Sequence, residues 1–249
     1  MKGLVICLIV IILGMTVTAS AGAQQPEDDT LFQAATLGGL LAGIYDGDVT
    51  FAQLRDVGDF GLGTFDALDG EMIAVDGEFF RVDTEGVASI VPDESETPFA
   101  VVTIFDADIE LSVESDMSCA DLQSLISAEL PSPNLMYAIR VEATFHNLTT
   151  RSVPKQEPPY VGLAKALEGQ VTFDFDDISG TMVGYWLPDY LAGVNVAGYH
   201  FHFVDADRVT GGHVLDCAIA SAVVEIDTSD ELRLVLPESF IDGDLSQEN

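Results

Sequence analysis

Three of the four histidines in this chain stand in one short stretch. His200 and His202 lie two apart in Gly198-Tyr199-His200-Phe201-His202-Phe203, and His213 follows Gly211-Gly212. Tyr199 to Val204 alternates bulky apolar residues with others, which is the pattern of a β-strand. In a strand, residues two apart project to one face. The spacing therefore puts His200 and His202 together and turns Tyr199, Phe201 and Phe203 the other way. Asp205 to Gly212 is rich in turn formers, so the chain is expected to fold back and bring His213, on a returning strand, to the pair. Three imidazoles converging with no further cysteine or histidine describe a divalent-metal site with an open position, a geometry suited to catalysis. The competing reading is three histidines hydrogen-bonded within a sheet.

A second chemistry lies in the scarce cations. The chain carries 42 acidic against 9 basic residues, a formal net charge of −33. Arg140, Arg151, Lys155 and Lys165 nonetheless cluster in one short segment. On so acidic a protein this is the expected place to hold an anion. Arg151 precedes Ser152-Val153-Pro154, where the proline stiffens a loop, and a guanidinium grips a carboxylate with two parallel hydrogen bonds. The alternative is a surface arginine that softens local acidity. Cys119 and Cys217 are open to pairing in an oxidising compartment or to burial as free thiols. Cys217 shares a strand face with His213, through Leu215 at the same period, so it could approach the site, although a buried structural thiol is the favoured reading.

The elements that must position these residues are mostly strands. Asp76-Gly77 between Glu71–Val75 and Glu78–Val82 is a hairpin signal. Further strands are expected at 99–105, 135–145, 170–175, 181–187, 196–204, 213–226 and 231–236. Helices are expected at 31–45, at 51–57, at 119–130 opened by Ser118 and stopped by Pro131, and near 164–167. The fold class is strand-dominated α+β, with mixed or antiparallel sheets in two packed subdomains and a few short helices. Residues 31–249 form one catalytic domain with a subdomain break near 157–160, and 244–249 is a polar tail.

Ahead of that domain, residues 1–23 read as a secretory signal. Lys2 supplies the positive end, Leu4 to Val17 the apolar core, and Ala21-Gly22-Ala23 a small-residue cleavage site. Residues 24–30 are polar and expected to be disordered. A secreted, periplasmic or cell-surface location follows, with no stable membrane insertion after processing. The acidic balance argues against nucleic acid as a partner. Because the acids are scattered among apolar strands, it points to a solvated surface adapted to high salt.

Taken together, several blocks resemble the bacterial α-acetolactate decarboxylases. They are the histidine segment through Asp207-Arg208 and Gly211-Gly212-His213-Val214-Leu215-Asp216, Gly39 to Gly47, Gly61 to Phe65 with Leu68 to Met72, and Tyr137 to Arg140 with Thr150 to Gln156. The resemblance implies a carboxy-lyase that converts 2-acetolactate to acetoin and carbon dioxide, with zinc on His200, His202 and His213. It implies that Arg151 grips the substrate, that Glu71 is an acid–base carboxylate beside the metal, and that Glu248 of the C-terminal tail is a second one. It also implies a homodimer acting on a small molecule. No Gly-rich nucleotide loop points to an organic cofactor. The alternatives are an exported metal-dependent hydroxy-acid binding protein, an inactive decarboxylase homologue and a cupin-like metal oxygenase.

Overall fold

The computed structural model describes residues 29–243 and 245, and strands dominate it. In chain order the elements are β1 (Thr30–Ala34), α1 (Leu37–Leu41), β2 (Val49–Thr50), α2 (Phe51–Arg55), β3 (Phe60–Thr64), β4 (Glu71–Val75), β5 (Glu78–Val82), β6 (Ala88–Ile90), β7 (Glu96–Thr97), β8 (Ala100–Thr103), β9 (Ile109–Val113), β10 (Met117–Ser118), α3 (Cys119–Glu129), β11 (Met136–Ser152), α4 (Leu163–Ala166), β12 (Val171–Leu187), β13 (Gly198–Asp205), β14 (Gly211–Ser229), β15 (Glu231–Val235) and α5 (Ser239–Asp242). This is the strand-dominated α+β architecture expected from the sequence. Among the described residues no helix is long and apolar enough to cross a membrane.

A seven-stranded sheet runs β15-β1-β8-β3-β4-β5-β6. A six-stranded sheet runs β10-β14-β11-β12-β13, with β9 also on β14. The second sheet curls until β13 returns to β14, where His202, Phe203 and Val204 pair with His213, Gly212 and Gly211. Strands β11, β12, β13 and β14 thereby close into a ring. Alternation divides β11 between two cores. Tyr137, Ile139, Val141, Ala143 and Phe145 fill the concave side of the curl, where Leu122 and Ile126 of α3 join them. Met136 and Ala138 face the other way, packing with Val183, Tyr185 and Val204 against Leu62, Ile73, Val75 and Val101 of the first sheet. On the far side of the first sheet, Met72 and Ala74 pack against Phe51 and Leu54 of α2. β4 is thus covered on both faces, and all its residues are buried.

The hairpin at Asp76-Gly77 pairs β4 with β5 as expected, with Val75 opposite Glu78. α3 is capped by Ser118, whose hydroxyl accepts from Asp121 N while the Asp121 carboxylate accepts from Ser118 N. The expected helix over 31–45 is instead a strand and a helix. β1 lies between β15 and β8 inside the first sheet, so Leu31, Phe32 and Ala34 are buried in succession and imitate helical spacing. Ala35 then turns with φ 56°, and Thr36 caps α1 by accepting from Gly39 N. Thr30 opens β1, so the disorder expected for 24–30 does not extend to it; residues 24–28 and the expected leader lie outside the described residues. The two strands expected at 170–175 and 181–187 are one, β12, paired with β11 along its length. The Glu157-Pro158-Pro159 segment links β11 to β12, neighbours in one sheet, and does not separate the two sheets.

Candidate metal centre and active site

Asp205 makes the turn that assembles the histidines. Its Oδ1 accepts from Val209 N (2.7 Å) and Thr210 N (2.9 Å), folding the chain back so that His213 lies opposite His202. Gly212, at φ 132°, has its backbone so close to β11 that a Cβ there would lie 2.6 Å from Arg151 O. The expected trio is brought together. His200 Nε2 and His202 Nε2 each lie 3.2 Å from His213 Nδ1. The other nitrogen of His202, Nδ1, donates to Met72 O at 2.8 Å. This fixes the tautomer with the Nε2 lone pair turned inward.

Burial holds all three rings neutral. It lowers His200 to about 3, with the Arg151 charge as a smaller cause. Burial also sends His202 and His213 well below the usual imidazole range, with the neighbouring His200 next in importance. Neutral rings with converging nitrogens are metal ligands. A tetrahedral ion with bonds of about 2.0–2.1 Å keeps its ligands about 3.3 Å apart, close to the spacing seen here. The trio is a group able to hold a metal ion.

Glu71 and Arg151 come from different sheets to meet beside it. Arg151 is the penultimate residue of β11, directly opposite His213 in register; the loop expected around it is strand. Its Nη1 donates to Glu71 Oε1 at 2.8 Å, and Glu71 Oε2 lies 3.5 Å from His202 Nε2. Burial pushes the Glu71 carboxyl up to about 7 against the opposing pull of Arg151. Nothing in local periodicity singled out Glu71. The signal that could have found it is an acid opening a strand otherwise made of Met72, Ile73, Ala74 and Val75.

These groups line a cavity of about 110 Å³ whose opposite wall is apolar: Leu37 and Leu40 of α1, Leu68, Phe99, Val153 and Leu163, with Val196 alongside. Sequence reasoning missed this wall. A buried amide pair holds part of it: Asn195 Nδ2 donates to Gln33 Oε1 (2.9 Å), and Gln33 Nε2 donates to Val194 O (2.7 Å).

Two expectations fare differently. Cys217 does not share a face with His213. The β11–β14 register shifts between Thr149 and Thr150, so Val214 pairs with Thr150 and Cys217 with Leu148, and Leu215 is the extra residue. The bulge turns Cys217 to the α3 side, where it forms a disulfide with Cys119. Glu248 lies outside the described residues. α5 packs on α1, with Phe240 against Gly39 so closely that a Cβ there would be 2.2 Å from the ring.

Fold and residues together define an enzyme centre built on strands, with three metal-capable imidazoles, one guanidinium and one buried carboxyl. Residues 31–247 match the family model described as Alpha-acetolactate decarboxylase. The chain is 46% identical over 223 residues to the alpha-acetolactate decarboxylase of Methylococcus capsulatus, covering 89% of this chain and 86% of that protein. It is 41% identical over 228 residues to that of Bacillus licheniformis, covering 90% of each. The crystal structure of alpha-acetolactate decarboxylase from Bacillus subtilis strain 168 superposes with a TM-score of 0.86 at 40% identity, covering 88% of this chain and 94% of that one. The chain belongs to the alpha-acetolactate decarboxylase family. It is an enzyme of that family, a carbon–carbon lyase of the carboxy-lyase class, not a cupin-like oxygenase.

Proposed function

We propose that this enzyme converts 2-acetolactate to acetoin and carbon dioxide with zinc held by His200 Nε2, His202 Nε2 and His213 Nδ1. The observation that carries the reading is the set of three inward-facing, neutral imidazole nitrogens beside the Glu71–Arg151 pair, in a chain of this family. Bound there, zinc supplies Lewis acidity toward adjacent ketone and hydroxyl oxygens and an open position for them.

Arg151 has one Nη committed to Glu71 and, among the described residues, further N–H groups without a partner that can serve the substrate carboxylate. Held out of the ketone plane, the carbon–carboxylate bond aligns with the carbonyl π-system. As that bond breaks, its electron pair passes toward the ketone and carbon dioxide leaves. A proton is then needed on the carbon that lost it. Glu71 is the carboxyl placed to hold and deliver that proton, and delivery to one face fixes the chirality of acetoin. The apolar wall from Leu37 to Leu163 keeps competing water away. Glu248 is the second carboxylate in this reading, supported by the packing of α5 against α1, whose Leu37 and Leu40 wall the cavity.

Export and a homodimer belong to the same proposal. The disulfide is in keeping with an oxidising compartment, and the family resemblance supports the dimer. N-terminal sequencing of the mature protein should begin at Gln24, and sedimentation should give twice the chain mass. The central test joins metal analysis of purified protein to an acetoin assay. About one zinc per chain is expected, with acetoin formation lost to chelator and restored by zinc. Undiminished acetoin formation by fully demetallated enzyme would sink the reading.

A further inference from the structure

β13 and β14 stay together for only three residue pairs, ending at His202 opposite His213. Past that point Tyr199, His200 and Phe201 remain with β12, while Val214 leaves with β11 and Leu215 bulges outward. The two strands part there, and the histidines sit at the fork. His213 and His202 stand at its root. His200 rides one arm.

The fork encloses a cavity of about 170 Å³. Tyr199, His200 and Phe201 line one side, His213, Val214 and Leu215 the other, and Cys119 and Gln123 of α3 close it. α3 grips both arms. Cys119 is joined to Cys217 on the β14 arm. On the β13 arm, the Tyr199 hydroxyl donates to Gln123 O at 2.9 Å and lies 2.7 Å from Ser127 Oγ. Between these anchors Leu122 and Ile126 are buried in the core of the curl.

The rings differ in what fixes them. His202 is pinned through Nδ1 to Met72 O. His200 Nδ1 has no partner among the described residues, although it is buried. The ring of His200 is therefore placed chiefly by its backbone arm.

We infer that α3 is a brace across the fork, with Tyr199 and the Cys119–Cys217 bridge as positioning residues that set the separation of His200 from His213. The inference rests on the reading that the trio holds a metal. Neither anchor touches substrate or the reacting atoms; each acts through His200. Groups that position ligands commonly govern metal affinity by 10–100-fold. A merely structural anchor would lower stability and leave affinity alone.

The test measures zinc affinity of the full chain by equilibrium competition with a chromophoric chelator, together with the melting temperature of zinc-free protein. Tyr199→Phe should weaken zinc binding about tenfold. Cys119→Ser with Cys217→Ser should do likewise. The combined variant should lose less than the product of the two, because both changes release one element. Ser124→Ala, on the exposed side of α3, should leave zinc affinity unchanged. If the double-serine chain does not fold, Tyr199→Phe alone decides. Wild-type affinity in Tyr199→Phe, with only the melting temperature lowered, overturns the brace. Losses that multiply as independent defects also overturn it. Failure of the wild-type chain to bind zinc overturns the metal reading, a result distinct from normal binding by both parent and variants.

Discussion

Glu71 and Asp227 are both carboxyl groups that burial pushes up to about 7. They lie toward opposite ends of β14: Glu71 beside the His202–His213 junction, Asp227 two residues before the strand stops at Ser229. Around Glu71 stand a guanidinium and three imidazoles. Around Asp227 a hydrogen bond from Asp106 N, at 3.5 Å, pulls it back down, while Asp108, Asp29 and Asp106 each add a smaller upward push. Similar raised values therefore mark different things. At one end a raised carboxyl belongs to a constellation that converges on a cavity. At the other it records chiefly the burial of a carboxyl with no reacting partner, to which neighbouring acids add. A perturbed titration becomes a functional signal only when geometry supplies a reacting partner.

Substitutions should separate the two carboxyls sharply. Glu71→Gln keeps the shape but removes the transferable proton, so turnover should fall by about 10²–10⁴-fold with metal content unchanged. Near-normal acetoin formation would show that the two ends are alike after all. Arg151→Ala should retain the metal and lose roughly a hundredfold in rate, read by steady-state kinetics beside metal analysis. Asp227→Asn should leave turnover unaltered and change stability instead.

The sign for Asp227 follows from its raised folded-state value. Below about pH 4 the carboxyl is protonated both folded and unfolded, and it carries no penalty. As pH rises from there toward 7 the unfolded chain ionises first, and stability is lost. Asp227→Asn should thus be stabilising by about 1–2 kcal/mol at pH 8, a few degrees in melting temperature, with most of that gain lost by pH 4. An equal gain at both pH values would contradict the charge explanation. The smallest effect sharpens the contrast further. In about 1 M salt, where the screening length is about 3 Å, the Asp227→Asn gain should shrink while the parent's own melting temperature rises. A parent that melts earlier as salt increases would remove the crowding argument.

Local pattern carried the hairpin at Asp76-Gly77, the Ser118-capped helix and the histidine trio, because each depends on neighbours in sequence. It failed where distant pairing decides. β1 reads as a helix because both its faces are covered by chain far away in sequence. The face of Cys217 depends on a bulge at Leu215 that only the pairing of β11 with β14 creates. Arg151 was legible as a cation among acids, but its place on a strand opposite His213 was not. Glu71 was named only through the family resemblance, because its burial between two layers beside His202 depends on distant pairing.

The centre takes its imidazoles from the curled sheet, while Met72 O and Glu71, which orient and flank them, come from the other. A chain in which only one sheet has formed has no complete set of ligands and supports. The finished centre therefore needs both layers docked, and a metal held there would stabilise the docked molecule more than the curled sheet alone.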